Sequence, residues 1–358
     1  MRSWGTSLAR LVAPCLVALC GVFALGCAGD APDRPWPAEL PHNPEDGDHF
    51  DGVADPFFEG WYHKVTIPQR NEAFFFIYVG IDPKPNSKYP AEAALYCGRA
   101  STLETVYGAY PVGDYLPAKG HQDVQIGAAG RATALRIAGA VEHGAHSCSW
   151  DIDLADGVAW PRTMGWLTGL SGLETNWTVG GLTARASGWV EFDGERIDFT
   201  DQASYHDHNW GTIFPSEWVW LQANAFSTDG AALAASGGSV PLGKTETRAA
   251  MIGLRPGRGA ELVTFRTQDG DDIQWQAEKG QWSMVGARSL ERITIEASCE
   301  RDAMFHLLAP TLQGMKPRAW ESLQGTITVT LERRSSEAAA WNTVFADTSG
   351  SAGVELGD

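Results

Sequence analysis

The chain has 358 residues, 44 acidic against 27 basic, and a formal net charge of −17 at pH 7. Such acidity argues against a nucleic-acid partner and against electrostatic adhesion to anionic lipid headgroups. Fifteen tryptophans cost too much to leave in water, so a large core or a ligand cavity must take them up.

At the N-terminus, Arg2 and Arg10 flank the start of an uncharged apolar run from Leu11 to Leu25, which closes on Ala24-Leu25-Gly26-Cys27. The run is short for the ~20 residues of a membrane span, and small residues sit where a peptidase would cut. Residues 1–26 therefore read as a lipoprotein signal peptide, with Cys27 as the lipidation site. The expected location is the cell envelope, lipid-anchored to a membrane, the outer one if the cell is Gram-negative. Residues 27–49, rich in Pro, Asp and Gly, read as a flexible tether. Beyond the leader only Cys97, Cys148 and Cys299 remain. They allow at most one intramolecular disulfide, and their spacing suggests no metal or redox centre.

Strand-like segments then follow at 60–67, 73–81, 132–138, 148–154, 182–192, 217–226, 248–254, 261–267, 272–276, 292–298 and 325–331. Asp193-Gly194, Asp229-Gly230 and Asp269-Gly270 punctuate them as hairpin turns do. Amphipathic helical stretches are scarce, no βαβ alternation occurs, and no repeat of 20 to 50 residues is present. The pattern predicts an antiparallel all-β sandwich or barrel, in one large domain or two ordinary ones. Residues 335–358, mostly Ala, Ser and Gly with scattered acids, are expected to be a disordered tail.

Three clusters carry the chemistry. In 58–64, an extended backbone puts Glu59, Trp61 and His63 on one side and Phe58, Tyr62 and Lys64 on the other. Glu59, framed by aromatics, is expected to line a cavity and bond a polar group at depth. In 205–209, Tyr205, Asp207 and Asn209 share a face, with His206 and His208 opposite. A lone His-x-His pair lacks the third ligand that a metal site requires, so no metal is expected. Asp207 among indoles is a candidate for a carboxylic acid whose pKa is raised by desolvation. In 218–226, period two separates Trp218, Trp220, Gln222, Asn224 and Phe226 from a plain apolar face of Val219, Leu221, Ala223 and Ala225. An aromatic face bearing two carboxamides suits a large apolar ligand oriented by a few hydrogen bonds. There is no Gly-x-Ser-x-Gly elbow, phosphate loop, His-Glu-x-x-His or dinucleotide fingerprint.

Phe58-Glu59-Gly60-Trp61-Tyr62, the run from Gly165-Trp166 through Trp177 and Gly188-Trp189 to Asn209-Trp210-Gly211, Phe214-Pro215, Trp218, Trp220, Gln222 and Asn224, and the closing Leu331-Glu332-Arg333-Arg334 resemble the tocopherol cyclases and the related carotenoid 1,2-hydratases. The likeness runs from about Asp55 to Arg334. Asp207-His208 departs from the Glu-Lys pair of plant cyclases and is similar to hydratase-type and bacterial members. The resemblance implies two lipocalin-like domains, residues 50–200 and 201–334, packed together with an aromatic-lined cavity. It implies a cofactor-free reaction on an isoprenoid or prenylquinone, in which a protonated prenyl alkene is captured by a phenol oxygen, or by water in a hydratase. Asp207 is then the expected proton donor, with His206 or His208 tuning it and Glu59 a second acid. Trp61, Trp210, Trp218 and Trp220 would face the cation, Gln222 and Asn224 the phenol, and Tyr62 or Tyr205 would assist proton transfer, with Asn209 beside them in the lining. A non-catalytic lipocalin-like lipid carrier would share the same anchor, pocket and fold.

Overall fold

A computed structural model describes residues 34–168, 173–242 and 245–358. The expected signal peptide and Cys27 lie outside the described residues. The first eleven strands are β1 (Phe58–Ile67), β2 (Glu72–Ile81), β3 (Glu92–Arg99), β4 (Glu104–Tyr110), β5 (Tyr115–Pro117), β6 (Asp123–Ile126), β7 (Gly130–Thr133), β8 (Arg136–His143), β9 (His146–Trp160), β10 (Thr175–Phe192) and β11 (Glu195–Gly211). They form one antiparallel sheet in the order β4-β3-β2-β1-β11-β10-β9-β8-β7-β6-β5. This sheet curls until β3 and β4 meet β8.

The second sheet contains β12 (Trp218–Ala223), β13 (Ala232–Leu242), β14 (Thr245–Arg255), β15 (Val263–Arg266), β16 (Asp272–Glu278), β17 (Gln281–Arg288), β18 (Glu291–Ser298), β19 (Phe305–Thr311), β20 (Gly314–Arg333) and β21 (Asn342–Gly357). Its order is β15-β14-β13-β12-β21-β20-β18-β17-β16, with β19 on β20. It too curls, bringing β14 and β15 against β16. No helix among the described residues is long and apolar enough to cross a membrane.

Each curled sheet has its own filled interior. Trp61, Val65, Phe74, Phe76, Tyr78 and Trp150 pack inside the first; Val219, Leu221, Ile252, Phe265, Trp282 and Val354 pack inside the second. Alternation sends the next residue of each strand to the outer face, and along β1, β2 and β12 those residues are also largely buried. The reason is that the two barrels lie back to back. Phe75, Tyr96, Trp218, Phe305 and Leu307 join them on one side, and Trp160, Trp177, Tyr205 and Trp220 on the other. A Cys97–Cys148 disulfide ties β3 to β9 within the first core, and Cys299 is in no disulfide among the described residues. Closing a loop of 51 residues stabilises the fold by about 2–4 kcal/mol, largely by restricting the unfolded chain.

Four expectations need correction. The passage from the first sheet to the second falls between Gly211 and Trp218, not at 200, because β11 runs unbroken through that position. The described part of the tether is packed down: Asn43 and Asp48 donate backbone hydrogen bonds to Gly120 O and Ala118 O at 3.0 and 2.8 Å. Asp46 there is buried. Most of the tail is β21, which joins β12 to β20 in the middle of the second sheet. Its small residues have a packing purpose: a Cβ at Gly353 or Gly357 would strike the ring of Trp220 or Trp218. The segment 132–138 is in fact two strands with a turn between. Strands β3 and β13, rich in Ala and Gly, show no alternation to read from sequence, since both of their faces are covered.

Candidate active site

The register of β1 against β11 sets the site. Gly60 lies opposite Asn209, Tyr62 opposite Asp207 and Lys64 opposite Tyr205, while Glu59, Trp61 and His63 oppose Trp210, His208 and His206. Directly opposed residues share a face of the sheet. The first set points outward to the seam between the barrels, and the second points into the first barrel.

At the seam is a cavity of ≈ 250 Å³ lined by both barrels. Phe58, Tyr62, Trp177, Asp207 and Asn209 come from the first; Trp218, Trp220, Met251, Leu307, Glu321 and Glu355 come from the second. The lining is mostly apolar, so each carboxyl within it is conspicuous.

Asp207 is 3% exposed. Its Oδ2 accepts hydrogen bonds from Trp177 Nε1 at 3.0 Å, Tyr205 Oη at 2.9 Å and Trp220 Nε1 at 3.0 Å. All three donors converge on one oxygen, and among the described residues none bonds Oδ1. Burial pushes the carboxyl up to about 6, against the pull of these donors and of the His206 charge. An acid with such a pKa holds a proton for part of the time near neutrality and can give it up.

Two further carboxyls that sequence reasoning did not single out stand across the cavity. Glu321 on β20 and Glu355 on β21 are register partners. Tyr62 Oη donates to Glu321 Oε1 at 2.5 Å, and Trp218 Nε1 donates to Glu355 Oε1. Burial, reinforced at Glu321 by the neighbouring Glu355 charge, raises both pKa values. Near them Lys64 Nζ donates to Gln222 Oε1 at 3.1 Å and Ser351 O at 2.9 Å, and burial pulls its ammonium down to about 7.

The remaining candidates are not in the cavity. Glu59, Trp61, His206, His208 and Trp210 lie on the opposite face of the same strands. His206 bonds Asp46 at 2.8 Å and stacks on His63, so it reaches Asp207 only through its charge. Trp61 Nε1 donates to Asp46 O at 3.0 Å, and Trp210 stacks on His49. Burial raises and His208 and His49 lower the Glu59 carboxyl, the histidines prevailing, so Glu59 is a carboxylate and no proton donor. Gln222 is bound to Lys64, and Asn224 donates to Ser204 O at 2.7 Å; neither lines the cavity. Tyr205 is fully buried, positioning Asp207 from below. Along β1, β11 and β12 the faces read from alternation are those observed, but Asn224 and Phe226 lie beyond the end of β12, and Phe226 packs against the interior of the second barrel rather than beside Trp218 and Trp220. The cavity lies on the Tyr62 face of β1 and not on the Glu59 face.

Two filled β-barrels back to back, with the ligand cavity at their seam, define a lipocalin-like double-domain protein. The same fold appears in the crystal structure of an AttH protein from Nitrosomonas europaea, with a TM-score of 0.52 at 14% identity, covering 90% of this chain and 98% of that one. The sequence model of the tocopherol cyclase-like family matches residues 109–358, and the chain belongs to that family. It is 26% identical over 373 residues to the chloroplastic tocopherol cyclase of Zea mays, covering 88% of this chain and 77% of the maize protein. It is 25% identical over 371 residues to a chloroplastic protein of Oryza sativa subsp. japonica named probable tocopherol cyclase, covering 88% and 78%.

Proposed function

We propose that the protein closes the chromanol ring of a prenylated hydroquinone by acid catalysis. The observation that carries this reading is the Asp207 carboxyl, set in an aromatic cavity with one oxygen accepting from three donors and the other without a partner among the described residues. Asp207 Oδ1 gives its proton to the less substituted carbon of the prenyl double bond, leaving a tertiary carbocation. The faces of Trp177, Trp218 and Trp220 stabilise that cation, contributing about 2 kcal/mol each where water is excluded. The phenol oxygen attacks the cation, the C–O bond forms, and the phenolic proton passes to the Asp207 carboxylate. The product is an isomer of the substrate, and the acid is restored. Asn209, Tyr62 and the carboxyls of Glu321 and Glu355 would hold the polar head group. Membership of the cyclase family and the likeness to the maize enzyme support the substrate class.

The test is incubation of the protein with a prenylated benzoquinol in deuterated water. A product of unchanged skeleton formula carrying one carbon-bound deuterium is expected. Asp207→Asn should lower the rate about 10²- to 10⁴-fold with lipid affinity retained. Tight retention without conversion would make the protein a carrier, and a product heavier by one whole molecule of the deuterated solvent would make it a hydratase.

A further inference from the structure

The face of β1 and β11 turned away from the cavity holds a second cluster that the reaction leaves unused. His49 Nδ1 lies 3.2 Å from Glu59 Oε1, and His208 Nε2 lies 3.1 Å from the same oxygen. The three ligand atoms all fall within 4.8 Å of one another. Donors bound to one tetrahedral zinc at about 2.0–2.1 Å stand roughly 3.3 Å apart, so the two measured separations match such a site almost unchanged. We propose that His49, Glu59 and His208 bind a zinc-class divalent cation.

Hydrogen bonding alone serves this cluster poorly. Glu59 Oε1 accepts from the His49 backbone N–H at 2.8 Å and faces both imidazoles at 3.2 and 3.1 Å. Both nitrogens of His208 face oxygen, Nε2 toward Glu59 and Nδ1 toward Glu45 O at 3.3 Å. A neutral imidazole has one N–H to give, and a cation on Nε2 removes the mismatch by leaving Nδ1–H for the carbonyl.

That arrangement is the usual outer support of a metal-bound histidine. Tyr115 Oη, donating to Glu59 Oε2 at 2.7 Å, supports the carboxylate in the same way. Trp61 stacked on His208 and Trp210 stacked on His49, at 4.3 and 3.7 Å, fix both ring planes. Glu59 and His208 are wholly buried, whereas His49 is 22% exposed and opens the site to solvent. Two imidazoles and one carboxylate form the donor set of zinc and its neighbours, not of calcium or magnesium. The cation would clamp the segment carrying His49 onto the first barrel, and the site does not depend on what the cavity binds.

The experiment is to strip the protein with a chelator, equilibrate it with Zn²⁺, desalt it, and measure bound zinc and melting temperature. Expected are about one zinc per chain, a higher melting temperature with zinc than without, and at least a tenfold loss of affinity in His49→Ala. A control, His146→Ala, removes the exposed group of Glu104, His146 and Asp193 and should keep the zinc. Should His49→Ala fail to fold, His49→Gln, which keeps a polar side chain but not the imidazole, should show the same loss. Wild-type protein that retains no zinc, or a His49 variant that binds it as tightly as wild type, would overturn the proposal.

Discussion

Asp207 is set by two opposed influences, and their balance predicts a pH profile. Burial favours the neutral acid; the Trp177, Tyr205 and Trp220 donors favour the carboxylate; the outcome is a pKa of about 6. If the protonated form is the proton donor, kcat/KM should be flat below this value and fall tenfold per pH unit above it. Tyr205→Phe removes one donor to the charged form, so the pKa should rise further and the falling limb should move to higher pH by as much as about one unit. A limb that stayed in place or moved to lower pH would remove Asp207 from the role of acid. The sharing of one face by Tyr205, Asp207 and Asn209 was legible from alternation alone. Glu321 and Glu355 were not: with 44 acids in the chain, a carboxylate in Trp320-Glu321-Ser322 or Val354-Glu355-Leu356 carries no local mark. Only pairing between β20 and β21 brings the two together at the cavity.

Strands were legible where one face is core and the other differs, as in β12, whose Trp218 and Trp220 separate cleanly from Val219 and Leu221. Strands covered on both sides or built of small residues were not. The clearest case is β21, where Ser349-Gly350-Ser351-Ala352-Gly353 has the composition of a disordered tail and the structure of a central strand. The missing side chains make room for indoles from β12. Gly353→Ala should therefore destabilise the protein by about 1–3 kcal/mol, because the added methyl meets the Trp220 ring in a full site. Gly350→Ala, with open space at the same position of its own Cβ, should be neutral or slightly stabilising through the unfolded chain. Urea unfolding of both variants separates this from a disordered tail, in which neither substitution would lower stability.

At the scale of the whole molecule, the two barrels are filled and the binding space lies between them. A lipocalin-like fold read from sequence suggests a ligand inside a barrel; here Trp61, Phe74, Phe76 and Trp150 occupy one interior and Phe265, Trp282 and Val354 the other. A ligand must then touch the outer faces of β1 and β11 on one side and of β12, β20 and β21 on the other. Binding to the native state alone stabilises it by about 2.7 kcal/mol at a hundredfold excess over Kd, and local openings at the seam should be suppressed first. With a prenylated benzoquinol bound, hydrogen exchange should slow in those five strands together, while β6–β8 and β16–β18, remote from the cavity lining, should change little. Protection confined to one barrel would mean that the ligand enters that interior instead. It would also remove the geometric basis for Asp207 as the acid, since its carboxyl faces the seam and neither interior.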